Sequence, residues 1–174
     1  MMLVELTTVP QAALPVAQLR EHLRLGSGFA DDGLQAAVEV ARALGMPLLV
    51  TGEPGTGKTQ LAYWVAQLIR AEEANARGEK PLDEKQDPRV LRFNTKTTSV
   101  ARDLFYRFGA VRHFRATHQK PGEPANIFDF LTFEALGKAI LAAGRRQFVV
   151  LVDEIDKAPR DFPNDVLFEF EELA

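Results

Sequence analysis

A glycine-rich loop in the first third of the chain has the residue types and spacing of a phosphate-binding site. Residues 52–59 read GEPGTGKT and match the pattern G-x-x-x-x-G-K-[ST]. Glycine permits positive φ angles, so that backbone N–H groups can curl around a polyphosphate. Lys58 can reach the β- and γ-phosphate oxygens, and the Thr59 hydroxyl can ligate Mg²⁺. We therefore predict a triphosphate site made of Gly52, Glu53, Pro54, Gly55, Thr56, Gly57, Lys58, Thr59 and Gln60.

Two carboxylates follow an apolar run near the end of the sequence. Asp153 and Glu154 come directly after residues 149–152, VVLV. A parallel strand delivers its last residues to the ligand-binding edge of the sheet. We assign Asp153, together with Thr59, to Mg²⁺, and we assign catalysis to Lys58 and to Glu154 as the group that polarises the attacking water. The alternative is that the acidic pair starts a loop and caps the next turn.

The segments around both motifs alternate between strand and helix patterns. Short apolar runs predict strands at residues 46–51, 89–94 and 148–152. Helical periodicity predicts helices at residues 31–44, 57–75, 100–108, 128–143 and 166–173. Residues 109–126 read as a loop. This alternation predicts a layered α/β fold with a parallel sheet.

Composition and charge exclude several classes of protein. The 174 residues carry 21 Lys and Arg, 24 Asp and Glu, and no Cys, for a net charge of −3. A chain of this length can bury a core without disulfides, and the absence of Cys excludes thiol catalysis and Cys-ligated metals. No apolar stretch reaches the ~18 residues of a membrane span, and no basic residue precedes Arg20 as in a secretory signal. We expect a cytoplasmic protein without a membrane partner.

Together the two motifs carry a family resemblance. GEPGTGKT at residues 52–59 and VVLVDEIDKAP at residues 149–159 resemble the Walker A and Walker B motifs of AAA+ ATPases. The continuation, with Asn164 and Leu167 beyond it, is most similar to the MoxR and dynein-related subgroup. The resemblance covers about residue 31 to the end of the sequence. It implies a three-layer P-loop NTPase fold, ATP and Mg²⁺ as ligands, hydrolysis of ATP, and a homo-oligomeric ring that remodels a protein substrate.

The resemblance also implies elements that the predicted strands do not supply. AAA+ cores have five parallel strands in the spatial order 5-1-4-3-2, and the three predicted strands correspond to the first three. We therefore expect strands four and five and the helical lid to be missing, with a gap between strands one and three. Residues 1–28 would be an N-terminal extension and residues 29–174 a partial nucleotide-binding domain. Such a fragment is expected to be poorly stable unless a longer or second chain completes the sheet.

A basic and aromatic stretch follows the second predicted strand. Residues 92–120 hold seven Lys or Arg and one acid, a local charge of +6 (seven minus one). Cations interleaved with rings suit a nucleic-acid groove. Residues 106–109 are similar to the aromatic pore loop of AAA+ proteins, which implies a contact with a protein substrate. The third interpretation is an amphipathic helix that buries Leu104, Phe105 and Phe108.

Three functional hypotheses therefore remain open. The first is an ATPase, and the absence of a guanine-selective N-K-x-D motif favours ATP over GTP. The second is a nucleotide-dependent binding module that does not turn over by itself. The missing sensor and arginine-finger residues favour this second hypothesis, since Arg145, Arg146 and Arg160 do not lie at positions for those roles. The third is a nucleic-acid-stimulated motor that uses the basic stretch.

Overall fold

The computed structural model of the chain describes residues 2–6, 32–119 and 126–173. Six strands and six helices follow one another in this part of the chain. In chain order they are β1 (Met2–Leu6), α1 (Asp32–Leu44), β2 (Leu48–Val50), α2 (Lys58–Arg77), β3 (Val90–Asn94), α3 (Arg102–Phe105), β4 (Tyr106–Phe108), α4 (Ala110–Gln119), β5 (Leu131–Phe133), α5 (Ala135–Ala142), β6 (Val149–Asp153) and α6 (Phe162–Leu173). The fold is mixed α/β, as predicted.

The main sheet has four strands in the order β2-β1-β6-β3. β3 and β6 are parallel, whereas β1 is antiparallel to both β2 and β6. The predicted parallel pairing is present between β3 and β6, but the sheet as a whole is mixed. The predicted gap between the strands of the two motifs was wrong, because β1 lies between β2 and β6. Since β1 is antiparallel to both neighbours, β2, β6 and β3 run in a common direction.

Helices cover both faces of this sheet. Along β6, Val149 and Leu151 pack against α1 and α2, whereas Val150 and Val152 pack against α5 and α6. Successive side chains of a strand point to opposite faces, so an all-apolar strand needs cover on both. All four residues are buried, as the apolar run predicts. β2, although equally apolar, lies at the sheet edge, and Leu49 on it is half exposed.

The helix after the glycine-rich loop agrees closely with the sequence pattern. α2 begins after Gly57 and ends at Gly78, and both glycines adopt the left-handed conformation, with φ of 84° and 69°. Leu61, Val65 and Ile69 lie on its buried face, and burying each such side chain contributes about 1.5–3 kcal/mol. A buried face and a glycine at each end thus define a 20-residue helix.

The region between β3 and β6 differs from the predicted pair of helices. α3 has only four residues, and β4 follows it directly. β4 pairs antiparallel with β5, which lies within the helix predicted at residues 128–143. α4 occupies part of the predicted loop. Gly137 of α5 allows this arrangement, because a Cβ there would lie 2.1 Å from the Phe105 carbonyl oxygen. We call β4, α4 and β5 the hairpin unit.

Candidate functional site

The sheet brings the glycine-rich loop and the acidic pair to the same edge. Met2 of β1 is the register partner of Val50 on one side and of Asp153 on the other. The last residues of β2 and β6 are therefore level, and two strand spacings separate them by roughly 10 Å. The loop that starts at Thr51 and the acidic pair at Asp153 thus leave the sheet side by side.

Backbone geometry folds the loop around the Lys58 side chain. Gly52, Gly55 and Gly57 have φ angles of 151°, 85° and 84°. The Lys58 Nζ atom donates hydrogen bonds to the carbonyl oxygens of Gly52 at 2.7 Å and Glu53 at 2.6 Å. The Thr56 hydroxyl donates to the same Glu53 oxygen at 2.9 Å. The ammonium group is therefore held against the loop that the sequence assigns to phosphate.

The start of α2 adds a positive end to this loop. The Leu61 amide donates to the Gly57 carbonyl at 3.2 Å, and the amides before it belong to the first turn, which has no partners inside the helix. The first turn of α2 carries no acidic side chain. The helix dipole is thus uncompensated by a local carboxylate, and the N-terminus favours an anion.

The two carboxylates of the acidic pair have different environments. Asp153 follows Leu151 on the face of β6 that α1 and α2 cover, and its side chain is mostly buried. The Glu154 side chain is half exposed. Glu154 is also the one non-glycine residue with positive φ, at 57°, within the described ranges 32–119 and 126–173. Its side chain makes no capping hydrogen bond to the following turn, Ile155–Lys157, which weighs against the capping alternative for Glu154.

Two cations contact these carboxylates, and neither was predicted from the sequence to belong to the site. The Arg92 guanidinium on β3 lies 2.6 Å from the Asp153 Oδ2 atom. The Lys157 Nζ atom lies 2.6 Å from the Glu154 Oε1 atom, and this hydrogen bond raises the pKa of Lys157. The spacing of Glu154 and Lys157, three residues apart, was a local signal for their contact. Arg92 is 61 residues from Asp153 in the sequence. Their contact could not be predicted locally, because it depends on the pairing of β3 with β6.

The oxygen donors at this edge fit a magnesium ion that arrives with a phosphate ligand. Thr59 offers a hydroxyl and Asp153 a carboxylate. Among the residues that the structure describes, no group of three or more His, Cys, Asp or Glu side chains could hold a metal. Mg²⁺ commonly takes one or two protein oxygens and completes its octahedron with water and substrate phosphate. The donor set therefore suits a nucleotide-borne ion rather than a cage of protein ligands.

The basic stretch spans several elements of the fold and not one helix. Arg92 belongs to the edge just described, and Lys120 lies outside the described residues. In the hairpin unit, Arg107 pairs with Glu134 at 2.6 Å. Leu104 is buried, but Phe108 and Phe114 are exposed by 43% and 61%. The single amphipathic helix was therefore wrong for Phe108, which lies on a strand and not in the core.

The outer side of α2 carries a cavity of about 600 Å³. Its lining includes Gln60, Trp64, Arg70 and Leu82. Trp64 is partly buried against the core. Neither the Lys58 and Thr59 side chains nor the acidic pair lines this cavity, so it is separate from the edge that holds them. Gln60, which was predicted to contact phosphate, thus lines this cavity and not the edge that holds Lys58 and the acidic pair.

Comparisons of the chain with protein-family models, curated proteins and solved structures found no match. Within the described residues, no helix has both the length and the apolar character needed to cross a membrane.

Proposed function

We propose that this chain binds ATP with Mg²⁺ at the loop of residues 52–59 and hydrolyses it as the nucleotide-binding part of an AAA+ ATPase. The observation that carries the proposal is the common register partner of Val50 and Asp153, Met2. It puts a phosphate-type loop and a pair of carboxylates level at one sheet edge. Ligands of α/β sheets bind at the carboxyl ends of strands, where these groups lie.

Lys58 and the amides of the loop would bind the phosphates. The Lys58 ammonium now bonds to two backbone carbonyls, and phosphate oxygens are stronger acceptors because they are charged. The first-turn amides of α2 and the helix dipole add to the attraction. On binding, Lys58 would exchange these carbonyl oxygens for the β- and γ-phosphate oxygens.

Thr59 and Asp153 would hold the metal through a hydroxyl and a carboxylate oxygen. When bound, Mg²⁺ supplies charge stabilisation to the phosphate oxygens. The Asp153 carboxylate is mostly buried on the α2 face of β6, which limits its freedom and favours one position. The Thr59 hydroxyl comes from the second residue of α2.

Glu154 would orient the attacking water. Its carboxylate accepts a proton from the water as the water oxygen forms a bond to the γ-phosphorus, and the bond from that phosphorus to the leaving β-phosphate oxygen breaks. The Glu154 backbone is in the left-handed conformation, with φ of 57°. Strained φ/ψ angles of this kind cost of order 1–3 kcal/mol and concentrate at functional sites.

The finer assignments belong to the same proposal. They are a three-layer P-loop fold, a homo-oligomeric ring, a remodelled protein substrate and a cytoplasmic location. Support comes from the resemblance of both motifs, from three strands that run in a common direction, and from helices on both faces of the sheet.

Two alternatives have a specific observation in their favour. A binding module without turnover is favoured by the cations on both carboxylates, Arg92 on Asp153 and Lys157 on Glu154. A nucleic-acid-stimulated motor is favoured by the exposed rings of Phe108 and Phe114 in the hairpin unit. Stimulation of turnover by single-stranded DNA or RNA, lost at high salt, would support the motor.

The test compares ATP binding and steady-state phosphate release in the wild type, Lys58→Ala and Glu154→Gln, with the exposed Lys138→Ala as a matched control. We expect Lys58→Ala to weaken binding about a hundredfold, since hydrogen bonds to charged groups contribute about 1.5–3 kcal/mol. Glu154→Gln should bind normally and release phosphate about 10²–10⁴ times more slowly. Binding without release in both the wild type and Glu154→Gln would favour the module. Failure of the wild type to bind ATP would refute the proposal.

A further inference from the structure

We propose that Arg92 competes with Mg²⁺ for the Asp153 carboxylate and thereby sets the Mg²⁺ concentration at which the site takes up nucleotide. This inference rests on the proposed function of the site. The competing contact is the 2.6 Å ion pair between the guanidinium on β3 and the Oδ2 atom of Asp153 on β6.

Strand register explains how the two side chains meet. Arg92 is the register partner of Leu151, two residues before Asp153 on the same face of the parallel pair. A diagonal neighbour on the same face lies within reach of a long side chain. Arg92 therefore reaches along the sheet to the edge where the phosphate loop begins.

Burial of the two partners favours exchange. The Arg92 side chain is 48% exposed, whereas that of Asp153 is 19% exposed. A half-exposed arginine can leave its partner for water at little cost, because ion pairs at such positions contribute only ~0–1 kcal/mol. Asp153 is more confined and stays at the edge. The carboxylate is thus the fixed member of the pair and the guanidinium the exchangeable one.

The competition follows from the chemistry of the carboxylate. A magnesium ion needs the oxygen that the guanidinium now contacts, and two cations do not share one small site without repulsion. The apparent affinity of the site for Mg²⁺ is reduced by the fraction of molecules in which Arg92 holds Asp153.

Lys157 provides a matched comparison at the same edge. Its ammonium lies 2.6 Å from Glu154, so Lys157→Gln removes the same charge from the same neighbourhood without freeing Asp153. A change seen only in the Arg92 variant would therefore report the specific pair and not the general electrostatic field.

The experiment titrates Mg²⁺ into protein with a fluorescent ATP analogue and follows binding, with EDTA as the metal-free baseline. We expect Arg92→Gln to lower the half-saturating Mg²⁺ concentration about two- to fivefold, in line with the strength of exposed ion pairs. Arg92→Lys, which keeps the charge, should stay near the wild type, and so should Lys157→Gln. In an Asp153→Asn background, Arg92→Gln should have no further effect. Arg92→Met, which keeps the aliphatic stem, serves as a second variant if Arg92→Gln folds poorly.

Each result bears on the proposal. An unchanged or raised Mg²⁺ requirement in Arg92→Gln would overturn the competition, as would an equal shift in Lys157→Gln. A wild type that binds the analogue equally well in EDTA and in Mg²⁺ would also overturn it, yet would leave nucleotide binding intact. A wild type that binds no analogue would instead refute the proposed function, and the role of Arg92 with it.

Discussion

The two ends of strands β3 and β6 both carry ion pairs, and they differ in burial and in the number of partners. At the carboxyl end, Arg92 and Lys157 each hold one carboxylate and are about half exposed. At the amino end, Arg89 is buried and bonds to two carboxylates and a backbone carbonyl. The same kind of interaction therefore has two different physical roles within one sheet.

The amino-end cluster joins α2 to the starts of both strands. The Arg89 guanidinium donates to Asp87 at 2.9 Å, to Glu73 of α2 at 2.7 Å, and to the Gln147 carbonyl at 2.9 Å. Arg146 also contacts Asp87. Every charge in this buried cluster has an opposite partner, which is the condition under which buried ions are tolerated.

This difference indicates where the molecule can exchange partners. Removing one member of a buried cluster leaves the other charges without a partner and without water, whereas an exposed ion pair can open to solvent or to a ligand. We infer that the amino end maintains the fold and that the carboxyl end is available for binding. The substitutions below test that division.

The largest expected effect is at the amino end. Arg89→Met should lower the free energy of unfolding by about 3–5 kcal/mol, because it leaves Asp87 and Glu73 as buried carboxylates with less compensation. Denaturant unfolding measures this loss. Arg77→Gln is the control, since Arg77 pairs with the same Glu73 from an exposed position and should cost about 0.5 kcal/mol or less. A loss below about 1 kcal/mol in Arg89→Met would contradict a structural role for the cluster.

The opposite pattern is expected for Asp153→Asn at the carboxyl end. Loss of the carboxylate that we propose to hold the metal should weaken Mg²⁺-dependent nucleotide binding about tenfold or more, equivalent to about 1.4 kcal/mol. The free energy of unfolding should change by no more than about 0.5 kcal/mol, because Asn keeps the size of the side chain and the Arg92 member of the lost ion pair is half exposed. Nucleotide titration and denaturant unfolding of the same sample separate the two quantities. Destabilisation as large as that of Arg89→Met would remove the distinction between the two ends.

A smaller effect should appear as acid sensitivity of the amino-end cluster. Burial raises the pKa of Glu73. The hydrogen bond and the charge of Arg89 lower it, and the Gln147 backbone and the Arg77 charge add to this. These lowering effects outweigh burial, so the pKa of Glu73 lies below the ordinary 4.5. A carboxyl with a depressed folded-state pKa contributes stability above its unfolded pKa and loses it as pH falls through the folded pKa. The free energy of unfolding should therefore decline below about pH 4.5, and less steeply in Glu73→Gln. Equal slopes in the two proteins would show that Glu73 is not responsible.

Local sequence signals were sufficient to predict the glycine-rich loop between β2 and α2 and the two elements that flank it. Gly57 marks the start of α2, and an apolar run marks β6, because φ preference and hydrophobic periodicity act within a few residues. The same signals misled over residues 100–133. There Tyr106–Phe108 pairs with Leu131–Phe133, and pairing across that distance leaves no periodic trace in either segment.

The sequence by itself determined which chemical groups this protein can offer, namely a lysine in a glycine-rich loop and two carboxylates after an apolar strand. Only the tertiary structure decided which groups meet. β1 entered the sheet between β2 and β6, and the pairing of β3 with β6 brought Arg92 to Asp153. The physical reason is that strand order and register depend on hydrogen bonds between distant segments, whereas loop and helix preferences depend on neighbouring residues.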